Sequence, residues 1–390
     1  MRYKVCPDDF VVEEQIKPHL APAGAFAVYR VHKRGLTTLQ LQAQVAQALG
    51  ITQAAVVCPA LKDKEAIAVQ HLSIRGDGPP HLAGRGFEAQ LLGRTERPLT
   101  PSDVLANRFT ITLRDLSAAE ASHIQERATQ IAMFGLPNYF DEQRFGANPN
   151  AGEHIGKYIL RRDAAGALRA YLTQPCVGDT ATVRKFKSFA AAHWGDWDAL
   201  FEAAPQPSNY RSVLTYLRDH PDPGESNSRK ALNLITRRLL GIYLTSYQSL
   251  LWNRIGGRYL PTLLGESGGY TWTEIAGERL PVHYRLPAHI DREIAIQLPN
   301  HRAVYHDPRL SAIVTQVLAE EGLTLRDFKA RVLKRAYLPK SRRALFLFPR
   351  QLEVSTPAPD ERFPGRNKLI LKCTLPPGSY ATLVIKALAA

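Results

Sequence analysis

One acid set between two lysines, Lys62-Asp63-Lys64 in "AAVVCPALKDKEAIAVQ" (residues 54–70), is where residue type and spacing first suggest chemistry. Nearby cations favour the charged form of a carboxylate. Such a group can be a surface ion-pair partner, or it can act as a nucleophile or base. Two further segments carry groups suited to a planar base. "PNYFDEQRFG" (Pro137–Gly146) sets an amide, two aromatics, a glutamine and an arginine just after a helix stop, and "LPPGSYATLVIK" (Leu375–Lys386) holds a Gly-Ser-Tyr turn. Aromatics on loops beside a basic surface are what single-stranded RNA bases stack upon. Singly, each has a plain reading as core aromatics, a turn or an ion pair. Together they suggest a base-handling site.

Other motifs fail on context. "GESGG" (Gly265–Gly269) has the spacing of a nucleophile elbow, but the extended-looking "GYTWTEIAG" follows where a helix is required. "GEHIGKY" (Gly152–Tyr158) is one residue short of a phosphate loop and lacks the Ser or Thr after Lys157. The sequence holds no H-E-x-x-H and no paired-histidine set, so no metal is expected. Cys6, Cys58, Cys176 and Cys373 are scattered without a C-x-x-C pair, which argues against a zinc ribbon and a disulfide framework.

The elements that must position these groups fall into three stretches. Residues up to about Gly146 mix strands ("DDFVVEEQI", "FAVYRVHKRG", "AAVVCPAL", "NRFTITLRDL") with two helices. The first helix runs through "TTLQLQAQVAQALG", with Thr37 or Thr38 as N-cap and Gly50 past its end. The second opens on Ser117 and Glu120 in capping-box spacing and closes on Gly135. From about Gly152 to Lys340 helical patterns dominate, among them "DPRLSAIVTQVLAEEG", with Asp307 as N-cap and Pro308 in first position. The tail returns to strands in "RALFLFPRQLEV" and "NKLILKCTL". A β-rich start and end around a helical middle suggest an α+β domain interrupted by another.

The formal net charge of +14 and pI of about 9.7 favour a polyanionic partner, most simply nucleic acid. Between Leu323 and Arg350 stand nine basic residues and one acid, Asp327. If "TLRDFKARVLKRAYL" is a helix, Leu325, Phe328, Val332 and Ala336 form an apolar stripe, and Arg331, Lys334 and Arg335 share an adjoining face that could neutralise phosphates. A second basic run is "RKFKSF" (Arg184–Phe189). The N-terminus lacks the apolar core of a signal peptide and no stretch reaches membrane-spanning length, so a cytoplasmic protein without a membrane partner is expected, as a monomer.

The same segments resemble the TruD-type pseudouridine synthases, nearly end to end. "KVCPDDFVVEE" is similar to the family's N-terminal motif at Lys4, Phe10, Val12 and Glu14. "KRGLTT", the K-D-x-x-A-x-x-x-Q core at Lys62, Asp63, Ala66 and Gln70, "NYFDEQRFG", "SYQSLLWN" and "LPPGSYAT" follow in the family's order. The chain departs from the pattern at Ala60, Ala68 and Asp141. The resemblance implies isomerisation of uridine to pseudouridine in RNA, with uridine 13 of tRNA as target and no cofactor. It implies a mixed α/β synthase domain on a mainly antiparallel sheet, formed by 1–150 and 341–390, with the family's inserted domain over 151–340. It makes Asp63 the catalytic aspartate, attacking sugar or base or removing a sugar proton. Lys62 or Lys4 would keep it ionised, and Glu14, Asn138 and Gln143 would support the site. Phe140 and Tyr380 would stack on the flipped-out uracil, with Arg144, Arg331, Lys334 and Arg335 on the RNA backbone. A non-catalytic RNA-binding protein or tRNA chaperone on the same scaffold is the alternative, with Asp63 as an ion-pair partner.

Overall fold

In the computed structural model, which describes residues 1–18, 20–147, 153–206, 208–222, 224–334 and 338–390, the alternating "FVVEEQI" forms strand β1 (Phe10–Ile16) with Phe10, Val12 and Glu14 buried. Strand β2 (Phe26–Lys33) and helix α1 (Thr38–Leu49) follow. Thr37 is the N-cap, accepting from the Gln40 N–H, and Gly50 ends the helix at φ 65°, a left-handed turn that glycine makes without strain.

The expected strand over "AAVVCPAL" shrinks to β3 (Val56–Val57) after a short 3-10 turn. The longer strands come next and were not evident in the sequence: β4 (Ile67–Arg75), β5 (His81–Gly84) and β6 (Phe87–Thr95). Strand β7 (Val104–Leu116) leads into helix α2 (Ala118–Phe134), whose Ser117 and Glu120 exchange both capping-box bonds, at 2.7 and 3.2 Å. Gly135 closes it at φ 71°, where a Cβ would stand 2.7 Å from the Phe348 ring.

These strands build a ten-stranded sheet with C-terminal strands at one edge. Its order is Arg350–Val354, Asn367–Leu375, β7, β1, β4, β2, β6, β5, with β3 added to β4 and Ala358–Pro359 added to Asn367–Leu375. Every pairing is antiparallel except β1 with β4, which run parallel with Val11 opposite Ile67. Helix α1 covers one end of the sheet, setting Leu41, Val45 and Ala46 against Tyr29, Val31, Leu72, Ile74 and Phe87. The architecture is α+β with a mainly antiparallel central sheet.

The chain divides into two compact units, Met1–Leu136 with Leu347–Ala390, and Pro137–Phe346. The first holds the sheet. The second is largely helical, centred on the 28-residue helix Arg237–Leu264, and carries the hairpin Gly269–Ile275/Glu278–Arg285. Asp307 caps the helix Pro308–Glu320 as its sequence predicts. Ser267 lies after a helix and before a strand, the reverse of a nucleophile elbow. Lys157 of "GEHIGKY" pairs with Glu153 at 2.7 Å and Glu321 at 2.9 Å.

Two basic segments differ from expectation. The helix expected over "TLRDFKARVLKRAYL" is only a 3-10 turn, Leu325–Lys329, followed by Ala330 at φ 47°. Its backbone is claimed elsewhere: Arg229 donates to Arg331 O and Val332 O, and Asn233 donates to Val332 O and accepts from Lys334 N. Phe328 and Val332 are buried, Arg331 and Lys334 exposed, and Arg335 and Ala336 lie outside the described residues. In "RKFKSF", Lys187 is buried in an ion pair with Asp179 at 2.8 Å, so only Arg184 and Lys185 face outward.

Candidate active site

Because β1 and β4 are parallel neighbours, the segments entering them arrive at the same end of the two strands. Lys4 precedes β1 and Asp63 precedes β4, and they meet: Lys4 Nζ lies 2.8 Å from Asp63 Oδ2. The carboxylate is nonetheless 42% exposed. Lys4 also stands 4.4 Å from the Phe10 ring centroid.

Lys4 is aimed by its backbone. Its φ of 58° is left-handed, a conformation that costs a lysine about 1–3 kcal/mol and persists only when its surroundings impose it. Arg114 imposes it from both sides. Its backbone exchanges two 2.8 Å bonds with Arg2, and its guanidinium donates to Asp9 at 2.8 Å. The same guanidinium donates to Asp360 at 2.8 Å and pairs with Glu361 at 2.9 Å, while itself buried.

The backbone around Asp63 is fixed as firmly. Lys33, fully buried at the end of β2, donates to the carbonyl oxygens of Leu36 and Asp63, each at 2.7 Å. Thr38, in the first turn of α1, accepts from Lys62 N at 2.9 Å through Oγ1 and donates to Gln70 Oε1 at 3.3 Å. Burial pushes the Lys33 ammonium down to about 8, although the charge of Asp63 works the other way.

Lys62, the nearer candidate partner, turns away. Its Nζ lies 3.0 Å from Glu14 Oε2 and 2.5 Å from Asn107 Oδ1. Glu14 is buried and also accepts from the His71 N–H at 3.0 Å. Burial alone would raise the Glu14 carboxyl, but the bonds from His71 and the charge of Lys62 outweigh it and hold the carboxyl below its ordinary value. Lys64 is exposed. Asp63 therefore pairs with Lys4, and Lys62 serves the floor beneath the loop. Tyr380 is half-buried at the head of the helix Ala381–Ala389, following the strand whose Leu375 pairs with Asn107.

In the second unit, Asn138 is buried and fully engaged. It donates through N to Leu345 O at 2.8 Å and through Nδ2 to Ala344 O at 3.1 Å, and its Oδ1 accepts from Arg343 at 2.8 Å. Phe140 follows, 9% exposed, with the Arg343 guanidinium 4.1 Å from its ring centroid and Trp252 edge-on at 5.7 Å. Asn253 of "SYQSLLWN" clamps the Phe140 backbone by accepting from its N–H and donating to its carbonyl, each at 2.8 Å. Gln143 is exposed on a 3-10 turn, and Arg144 donates to Ser249 Oγ at 3.0 Å.

Sequence reasoning did not assign Lys33, Thr38, Asn253, Arg114 or Arg343. The first three lie inside segments that match the family pattern and could have been found there. Arg114 and Arg343 act across the sequence and carry no local signal. Among the described residues, no group of three or more His, Cys, Asp and Glu side chains could hold a metal ion.

A family model for TruD, tRNA pseudouridine synthase D, matches residues 1–261. The chain belongs to the TruD family. It is 28% identical over 393 residues to a Methanocaldococcus jannaschii protein named "Probable tRNA pseudouridine synthase D 2", across 99% of this chain and 91% of that one. It is also 28% identical to the tRNA pseudouridine synthase D of Aquifex aeolicus, across 100% of this chain and 98% of the relative. A crystal structure of a TruD protein from Methanosarcina mazei shares the fold, with a TM-score of 0.75 at 21% identity, across 99% of this chain and 93% of that one.

Proposed function

We propose that this TruD-family protein isomerises a uridine of tRNA, at position 13, to pseudouridine, with Asp63 as the reacting carboxylate. The observation that carries this reading is the exposed Asp63 carboxylate held at 2.8 Å by Lys4, on a loop pinned by Lys33 and Thr38. An exposed ion pair contributes about 1 kcal/mol or less to stability, too little to explain a strained lysine built to reach it. Positioning a reactive group explains it better.

In the reaction the C1′–N1 bond of uridine breaks, the detached uracil turns, and a C1′–C5 bond forms. The hydrogen on C5 leaves as a proton and N1 regains one, so atoms balance without an external reagent. Whether the carboxylate attacks C1′, attacks the base or removes a sugar proton, it must be ionised and fixed beside the ribose. Lys4 serves both needs. In this reading Phe140 and Tyr380 are the aromatics assigned to the flipped-out base, Tyr380 half-buried and Phe140 buried against Arg343 and Trp252. Asn138, Glu14, Lys62 and Gln143 support the site, and Arg144, Arg331 and Lys334 offer charge to the RNA backbone.

Tritium release from tRNA labelled at C5 of uridine tests the activity, since every turnover expels that hydrogen. Purified protein that binds tRNA but releases no tritium sinks the reading in favour of a binding protein.

Two predictions arise from the lysines. Lys4→Met should lower turnover about 10²-fold, the scale of a small misplacement of a reacting group, and shift unfolding free energy by no more than about 1 kcal/mol. Initial-rate and urea-denaturation measurements check both. Lys33 governs a pH effect. The unfolded chain keeps that proton up to its ordinary value of 10.5, while the folded chain releases it at about 8. Between those values the unfolded state binds more protons, so this group makes stability rise with pH. Denaturation at pH 7.5 and 9.5 should show wild type gaining relative to Lys33→Met as pH rises.

A further inference from the structure

The second unit contains a cavity of about 540 Å³ whose wall includes Lys230, Arg237, Lys334, Asn233 and Tyr216 beside Leu234, Ile235 and Leu240, with no carboxylate among the described residues that line it. All three cations are exposed, and among the described residues none of them stands in an ion pair. Elsewhere in the same unit acids stand beside the cations, as Glu278 and Glu320 do for Arg254 and Arg258. Three like charges gathered around one hollow repel one another and make it a place where an anion is welcome.

The wall is built, not incidental. Asn233 donates to Arg229 O at 2.7 Å and Val332 O at 3.1 Å and accepts from Lys334 N at 2.7 Å. Arg229 adds bonds to Val332 O at 3.3 Å and Arg331 O at 3.1 Å. Together they tie the Lys334 segment to the helix Glu225–Leu232 that carries Lys230. Arg237 opens the 28-residue helix Arg237–Leu264, whose N-cap Thr236 makes no side-chain cap bond. The helix dipole and its first-turn N–H groups therefore add to the positive field in the cavity.

We propose that this cavity seats a backbone phosphate of the RNA substrate, held by Lys230, Arg237 and Lys334. The proposal rests on the tRNA reading above and extends it to residues outside the family-matched motifs. It makes the basic segment around Lys334 one wall of a defined anion site instead of a helix face.

The test is binding of fluorescently labelled tRNA to wild type and to the double variant Lys230→Ala/Arg237→Ala, followed by anisotropy across a salt series. Losing the one phosphate contact should lower the slope of log affinity against log salt by about 0.7–0.9 in the double variant. In the tritium assay KM should rise while kcat at saturating tRNA stays at the wild-type value. A melting transition like that of wild type shows the variant folded. A folded variant with wild-type affinity and salt slope overturns the proposal. It is overturned equally if the variant loses only thermal protection by inorganic phosphate, which marks a small-anion site. Because binding is read without turnover, a protein that binds tRNA through these residues yet releases no tritium would contradict the isomerase reading and leave this one standing.

Discussion

Asp63→Asn should cut tritium release from uridine-labelled tRNA about 10²–10⁴-fold or more, while tRNA binding stays near wild type. Asparagine keeps the shape of the side chain and removes its charge. The backbone bonds from Lys33 to Asp63 O and from Lys62 N to Thr38 do not involve the carboxylate, so the loop should keep its conformation. Lys4 loses a partner that was 42% exposed, and its ammonium can turn to water at small cost to stability. Loss of turnover with retained fold and binding therefore reads the carboxylate itself. Equal loss of binding would point instead to a structural ion pair.

Arg114→Leu should have the largest effect on stability, a loss of about 3–5 kcal/mol, because it leaves Asp9 and Asp360 buried without their cation. That is a large share of the ordinary 5–15 kcal/mol margin, and a lowered denaturation midpoint would show it. The same change removes the guanidinium bond to Asp9 while keeping the backbone bonds to Arg2, so it loosens the segment that holds Lys4 at φ 58° and residual activity should fall as well. Acid should narrow the gap between the two proteins. Burial would raise the Asp360 carboxyl, but bonds from the backbone N–H groups of Arg362 and Asp115 and from Arg114 hold it below its ordinary value. A depressed carboxyl gives stability that is full above its unfolded value and is lost as pH falls through the folded one. Wild type therefore loses that advantage in acid, and Arg114→Leu has less of it to lose. A gap that widens on acidification would contradict this account of Arg114 and its buried acids.

How far the sequence reaches depends on the range of the forces involved. Local signals were legible: the capping box of Ser117 and Glu120, the cap at Thr37, Gly50 past its helix, and Asp307 with Pro308 each form as read. The charge pattern around Asp63 was legible too, but its partner was not. Adjacency favours Lys62 as readily as Lys4, and only the parallel pairing of β1 with β4 brings Lys4 to the loop. Lys62 is drawn off by Glu14, a buried acid with a stronger need for a cation. The helix expected around Val332 failed for a similar reason, since Arg229 and Asn233, about a hundred residues earlier, take the backbone groups a helix would use. Phe140 was visible as an aromatic in a turn, whereas the Arg343 guanidinium beneath it was not.

The most direct measurement of the central claim is carbodiimide mapping of pseudouridine in an unmodified tRNA transcript incubated with the protein. The account predicts one pseudouridine, at uridine 13, with wild type and none with Asp63→Asn. A transcript left unmodified by wild type, or modified equally by both proteins, would contradict it.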